Sequence, residues 1–253
     1  MSKPSVLITG GAKRIGKAIA QRFAEAGWHG VIHYGSSAAE AEELAASLPS
    51  AEAIHCDLND ADAAAAMVRA LAGRLEDWRA LVNCASVFAA DDVTGLDART
   101  NRQAMQINAR TPALMAQTFL ADARSATGRR VIHVTDQKLA NPNPDFFSYT
   151  MSKHALAATI PMLSMGATKD ADRVYGLAPG AILPSHDQRP AETETSHRLN
   201  LLERKTGADE VAEAALFLAE GPLASGQTLF VDSGQHLLSQ PRDVIYLARE
   251  MAQ

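Results

Sequence analysis

The chain is poor in cysteine and in aromatic residues, carries no excess of positive charge and has no long apolar run. Cys56 and Cys84 are its two cysteines and share no CxxC spacing. That excludes a disulfide framework and a cysteine-rich metal knuckle, and it suits a reduced, cytoplasmic protein. Aromatics are 5% of a chain that is 47% hydrophobic, so the core must be aliphatic. A formal net charge of -5 argues against nucleic acid or an anionic membrane as partner. No stretch approaches the ~20 apolar residues of a membrane span. Met1-Ser2-Lys3-Pro4 leads directly into a strand pattern, so no signal peptide is expected. What remains is 253 residues, expected to fold as a single α/β domain over 1–253.

Apolar runs alternate with helical periodicities along the whole chain. Strands are expected at 5–9, 30–34, 52–58, 79–86, 130–136, 173–177 and 227–231. Helices are expected at 15–26, 38–48, 61–74, 98–123, around 149–153 and at 209–219. Ser36 and Ser37 can cap the second helix. Pro112 can kink the long one. The stretch 184–199 reads as polar and irregular, part of a lid over 184–206. The piece from 240 onward is amphipathic, and Val244, Ile245, Leu247 and Met251 could pack on a neighbour or on their own subunit. Strand–helix alternation at this spacing means a Rossmann-type, doubly wound parallel sheet of seven strands with helices on both faces. Ligands then bind beyond the carboxyl ends of the strands, where Thr9, Asp57, Asn83, Asp136 and Gly180 stand.

Thr9-Gly10-Gly11-Ala12-Lys13-Arg14-Ile15-Gly16 joins the first strand to the first helix. Small residues let the backbone approach a pyrophosphate, and the helix start offers free N–H groups. Lys13 and Arg14 either pair with phosphate or form a solvated charged pair. The second strand ends in His33-Tyr34-Gly35-Ser36-Ser37, with no acid to hold ribose hydroxyls. Arg14, Ser36 and Ser37 can instead receive a 2′-phosphate, so NADPH is the expected cofactor. Tyr149 and Lys153 are four apart and share a helix face. An ammonium beside a phenol lowers the phenol's pKa from ~10 toward the working range.

Together these residues resemble the short-chain dehydrogenase/reductase family over 5 to about 238. The resemblance makes Tyr149 the proton donor. Lys153 lowers its pKa and holds the nicotinamide ribose, and Asn108 supports the lysine through a water. It assigns Gly10, Ile15, Gly16, Tyr34, Asp57, Leu58, Asn83, Ala85, Ser86, Pro179, Gly180 and Ile182 to the cofactor, beside Lys13, Arg14, Ser36 and Ser37. Two departures point to one branch: Arg14 replaces the loop's middle glycine, and Asp136 stands where a catalytic serine is usual, thirteen residues before Tyr149. Both are familiar in the pteridine reductases and dihydromonapterin reductases. That branch also carries a pterin-stacking aromatic, matched by Phe88. Taken singly, Phe88 reads equally well as a rim aromatic, and Asp136 as a strand-end cap.

A carboxylate at position 136 would repel a developing alkoxide, whereas it can hold or pass the proton that a reducible C=N bond needs. The expected reaction is NADPH-dependent reduction of a dihydropterin, with dihydrofolate as a second candidate, and with Ser86, Phe88, Asp136 and Tyr149 at the substrate. The alternatives are reduction of a ketone, aldehyde or 3-oxoacyl substrate, and a non-catalytic NADP-binding sensor. His186, Asp187 and Arg189 either contact substrate or belong to a solvated lid. The resemblance implies a homotetramer and no metal.

Overall fold

The computed structural model describes residues 3–185 and 188–252, so His186 and Asp187 lie outside the described residues. Its strands are β1 (Ser5–Ile8), β2 (His29–Tyr34), β3 (Ala51–His55), β4 (Trp78–Asn83), β5 (Arg130–Val134), β6 (Arg173–Pro179) and β7 (Thr228–Val231). Its α-helices are α1 (Arg14–Glu25), α2 (Ala38–Ser47), α3 (Ala61–Arg74), α4 (Ala98–Met105), α5 (Thr111–Asp122), α6 (Phe147–Gly166), α7 (Pro190–Ser196), α8 (Ala208–Glu220) and α9 (Val244–Met251). The strands pair in parallel in the order β3-β2-β1-β4-β5-β6-β7. The chain reverses its winding between β1 and β4, which is where such sheets open a ligand crevice.

Side chains alternate between two cores, as a strand's period of two requires. Val6, Ile8, Ile32, Val82, Ile132 and Tyr175 face α1, α2 and α8. Leu7, Val31, Leu81, Val131 and Val174 face α3, α5 and α6. With both faces covered, the strands read as continuous apolar runs. Each large aliphatic side chain so buried stabilises the fold by about 1.5–3 kcal/mol.

The structure differs from the sequence expectation at several places. β3, β4 and β5 stop at His55, Asn83 and Val134, so Asp57, Leu58, Ala85, Ser86 and Asp136 stand on loops beyond the ladders. The apolar pattern runs on because Cys56, Leu58 and Thr135 are buried just past the strand ends, where the N–H groups of Cys56 and Thr135 still donate to Tyr34 and Leu177. The stretch 98–123 is not one kinked helix: a π-helical turn, Gln106–Arg110, separates α4 from α5. Pro112 has no N–H for the carbonyl of Asn108, and its ring crowds that carbonyl, so an extra residue loops out just before it. Within the lid, Pro190 at the first position of α7 presets a helical φ, and Glu192 accepts the Arg189 N–H at 3.1 Å. These devices form a helix that apolar periodicity does not announce. Ser37 precedes α2, but its hydroxyl makes no capping bond. The C-terminal piece packs on its own subunit, through Val244, Ile245 and Ala248.

Candidate active site

The carboxyl ends of β1, β2, β4, β5 and β6 border one cleft of about 960 Å³. Every residue expected at the cofactor or substrate lines it except Asn83. Asn83 is buried, and its Nδ2 donates to the Pro112 carbonyl at 3.3 Å and to His133 Nδ1 at 3.2 Å. This side chain braces the cleft floor from below.

The glycine loop is shaped by close approach. A Cβ on Gly16 would lie 2.3 Å from the Gly10 carbonyl oxygen. Gly10 itself has φ +63 and packs on Ala85. Arg14 adopts φ 55, a left-handed conformation that costs an ordinary residue about 1–3 kcal/mol. Its guanidinium stays at the cleft rim, 3.4 Å from the Leu183 carbonyl. Lys13 caps α1 without a side-chain bond and pairs with Glu40 at 2.5 Å. Both side chains line the cleft, Lys13 tied to Glu40 and Arg14 reaching the Leu183 carbonyl. Uncapped N–H groups, a backbone stripped of Cβ atoms and the uncommitted Ser37 hydroxyl fit a dinucleotide phosphate.

His33 anchors this loop, a role the motif did not reveal. Its Nδ1 accepts the Gly10 N–H at 3.2 Å, and its Nε2 lies 3.0 Å from the Cys56 carbonyl. Those partners require the neutral ring protonated at Nε2. Burial pushes its pKa down to about 4. Thr9 Oγ1 accepts the N–H groups of Cys84 and Ala85 at 2.9 and 3.0 Å, tying the same loop to the end of β4.

At the other end of the cleft, Tyr149 and Lys153 emerge from the first turns of α6. The Tyr149 hydroxyl donates to Asp136 Oδ2 at 2.7 Å. Asp136 Oδ1 accepts the Lys138 N–H at 2.9 Å, so the carboxylate caps a short turn and faces the cleft at once. Lys153 Nζ donates to the Val134 carbonyl at 2.8 Å and lies 5.6 Å from the Tyr149 ring centre. Burial, then the charge of Asp136, holds the Tyr149 phenol well above its ordinary range. Burial also raises the Asp136 carboxyl and lowers the Lys153 ammonium. The expected lowering of the phenol by Lys153 is thus reversed here, because burial of the phenol and the carboxylate it touches outrank an ammonium turned toward a carbonyl. The Tyr149 phenol therefore holds its proton.

Asn108 is buried in the π-helical turn ahead of α5. Its Oδ1 accepts the Val87 N–H at 2.8 Å, and its Nδ2 donates to the Val87 carbonyl at 2.9 Å and to Ser152 Oγ at 3.0 Å. The side chain clamps the chain just before Phe88 and spends itself there. Phe88 stacks on Phe146 with centroids 4.0 Å apart and meets Tyr149 edge-on at 4.7 Å. One of its faces is therefore already covered by protein. Ser86 is exposed at the cleft edge. Burial pushes the Cys84 thiol up to about 11, which leaves it an inert packing group.

Gln188, Ser196, His197, Lys138 and Asp243–Ile245 line the cleft without having been singled out from sequence. Gln188, Ser196 and His197 come from α7 and its flanks and 243–245 from the C-terminal segment, far along the chain from any motif, whereas Lys138 stands two residues after Asp136.

A doubly wound sheet with a glycine loop after β1 and a Tyr/Lys pair on the helix after β5 defines a nucleotide-dependent oxidoreductase. A family model described as enoyl-(acyl carrier protein) reductase matches residues 10–236. The chain belongs to the short-chain dehydrogenase/reductase family, of which that model is a part. Among solved structures, it is similar to the FolM alternative dihydrofolate reductase 1 from Brucella canis, complexed with NADP. That match has a TM-score of 0.87 and 32% identity, and covers 95% of this chain and 96% of that one. It is 26% identical to pteridine reductase 1 of Leishmania tarentolae, over 92% of this chain and 96% of the relative. It is 32% identical to a granaticin polyketide synthase putative ketoacyl reductase 2 of Streptomyces violaceoruber, over 93% and 97%.

Proposed function

We propose that the protein is an NADPH-dependent reductase of a 7,8-dihydropterin, with dihydrofolate as a further acceptor. The observation that carries this reading is the 2.7 Å hydrogen bond from Tyr149 to Asp136 inside the cleft. The lysine nearest that carboxylate in sequence, Lys138, spends its Nζ on Asp243. Asp136 therefore stays available to ring N–H groups and to the donor tyrosine. The FolM and pteridine reductase relatives support the same substrate class.

Gly10, Arg14, Gly16, Ser36 and Ser37 would hold the phosphates, and Tyr149 and Lys153 the nicotinamide end. Bound NADPH would supply the hydride to the carbon of the C=N bond. Tyr149 delivers the proton to the nitrogen, and the Lys153 ammonium offsets the charge left on its oxygen. After that transfer Asp136, whose carboxyl burial raises, takes up a proton from solvent in the cleft and passes it to the Tyr149 oxygen along the line of their hydrogen bond. Phe88 offers an aromatic edge or its free face to a flat ring, held in place by Asn108 through Val87.

A second reading has its own support. Burial favours the neutral form of Asp136, and in that form the carboxyl could polarise a carbonyl oxygen, as a serine hydroxyl would. The ketoacyl reductase relative points the same way. Following NADPH absorbance with 7,8-dihydrobiopterin, then with a panel of ketones and 3-oxoacyl thioesters, separates the two. Turnover of dihydrobiopterin well above every carbonyl is expected, and the reverse order would overturn the pterin assignment. The free thiols Cys56 and Cys84 suit the cytosol. The exposed Met151, Met162 and Met165 along α6 suit a homotetramer, read by light scattering.

A further inference from the structure

One wall of the cleft comes from the end of the chain. Asp243, Val244 and Ile245 border the same space as Tyr149 and Phe88. Ile245 forms one apolar cluster with Phe146 and Tyr149, with Phe88 and Tyr246 packed against it. Phe146 is the shared support: Phe88 lies on it at 4.0 Å and Tyr246 at 5.9 Å, both nearly parallel. Ile245 therefore belongs to the apolar cluster that holds Tyr149 and the aromatics beside it.

This wall is fastened on two sides. Asp243 Oδ2 meets Lys138 Nζ at 2.6 Å, and both side chains are nearly inaccessible to solvent. Lys138 belongs to the turn that Asp136 caps. Arg242 Nε donates to both oxygens of Asp145, at 3.0 and 2.8 Å, and Asp145 Oδ2 also accepts the Asp243 N–H at 2.8 Å. Asp145 immediately precedes Phe146. On the outer side, Arg249 Nε approaches Glu192 Oε2 of the lid helix α7 at 3.5 Å. Buried charges joined in this way are costly to separate, so the segment is held in one position rather than draped over the opening.

We propose that Ile245 is a specificity-determining residue. Held by the Lys138–Asp243 and Asp145–Arg242 pairs, it closes the substrate end of the cleft and limits the bulk of the acceptor that reaches Tyr149. Resting on the dihydropterin reading above, the wall favours a pterin with a short side chain over one bearing an aryl-glutamate arm.

The test compares kcat/KM, with NADPH, for 7,8-dihydrofolate and 7,8-dihydrobiopterin in the unaltered protein, Ile245→Ala and Ile245→Phe. Trimming the wall is expected to raise the dihydrofolate-to-dihydrobiopterin ratio about tenfold, the scale of a few methylenes in an apolar pocket. Enlarging it is expected to lower the ratio. A purely structural role would move both substrates together and in the same sense for both variants. A ratio within twofold of the unaltered protein in both folded variants overturns the proposal. If the unaltered protein reduces carbonyls and no pterin, the pterin reading fails, and the wall is judged by the same ratio between a bulky and a small ketone. If neither variant folds, hydrogen exchange on the unaltered protein decides. The amides of 244–246 should gain protection when acceptor joins the NADPH complex, and unchanged exchange there would remove Ile245 from the wall.

Discussion

Tyr149 keeps its proton because it is buried and because it already gives a hydrogen bond to a carboxylate. Both causes favour the phenol over the phenolate, which is the form the proposed reduction requires of its acid. Tyr149→Phe should then lower turnover by about 10²–10⁴-fold, the usual worth of a positioned general acid. NADPH affinity, read by fluorescence titration, should change little, since the ring still packs between Phe88 and Ile245. Near-normal turnover in that variant would remove Tyr149 as the donor. Asp136→Ser is the complementary change. It should abolish dihydropterin reduction, and pterin turnover indifferent to it would sink the role given to the carboxylate. Helical spacing put Tyr149 and Lys153 on one face, but it took the family resemblance to single them out and to bring Asp136 into view. The direction of the phenol's shift was not legible. It depends on burial and on where Lys153 Nζ turns, and neither is written in spacing.

Among the elements, the β1–α1 junction was the most legible and the most constrained. Its glycines are dictated by close approach: at Gly16 even a methyl group would overlap the Gly10 carbonyl. Gly16→Ala must push that turn open, at a cost of about 1–3 kcal/mol typical of overpacking. NADPH affinity should fall tenfold or more, with a lowered Tm, and an unchanged Kd would show that the turn does not bear on the phosphates. Elements that depend on irregular chemistry were harder to read. The π-turn at Gln106–Arg110 hid inside a continuous helical pattern, although Pro112 marked its place. Its effect is functional, because it is the turn from which Asn108 reaches Val87. Helix α7 escaped because its order comes from Pro190 and Glu192 rather than from an apolar stripe. The C-terminal segment showed its apolar face in the sequence but not what that face meets. The partners of Asp243 and Arg242, Lys138 and Asp145, lie roughly a hundred residues earlier.

Across the whole molecule, two buried neutral histidines link stability to pH. Burial, then the Lys153 charge, pushes His133 down to about 3. Burial likewise holds His33 at about 4, against the raising effect of the Cys56 carbonyl and with His55 lowering it further. An unfolded histidine binds its proton near pH 6.5, well before either folded ring does. Between those values the unfolded chain carries more protons, so folding stability rises with pH and is lost as pH falls from about 6.5 toward 4. Near pH 5 the two rings together should give a slope of roughly 2.5 kcal/mol per pH unit. Asp136 works in the opposite sense: its raised carboxyl takes up a proton in the folded state first, which offsets part of the loss on acidification. Asp136→Asn removes that opposing contribution, so its stability should fall more steeply with acidification than that of the unaltered protein. Urea unfolding midpoints at pH 7, 6 and 5 for both proteins check this. Equal slopes would show that Asp136 titrates alike folded and unfolded. A flat profile in both would mean that the histidines beneath the cleft accept protons without unfolding the sheet. In that case the ring of His33, which needs its bare Nδ1 to hold Gly10, could not be what keeps the glycine loop in place.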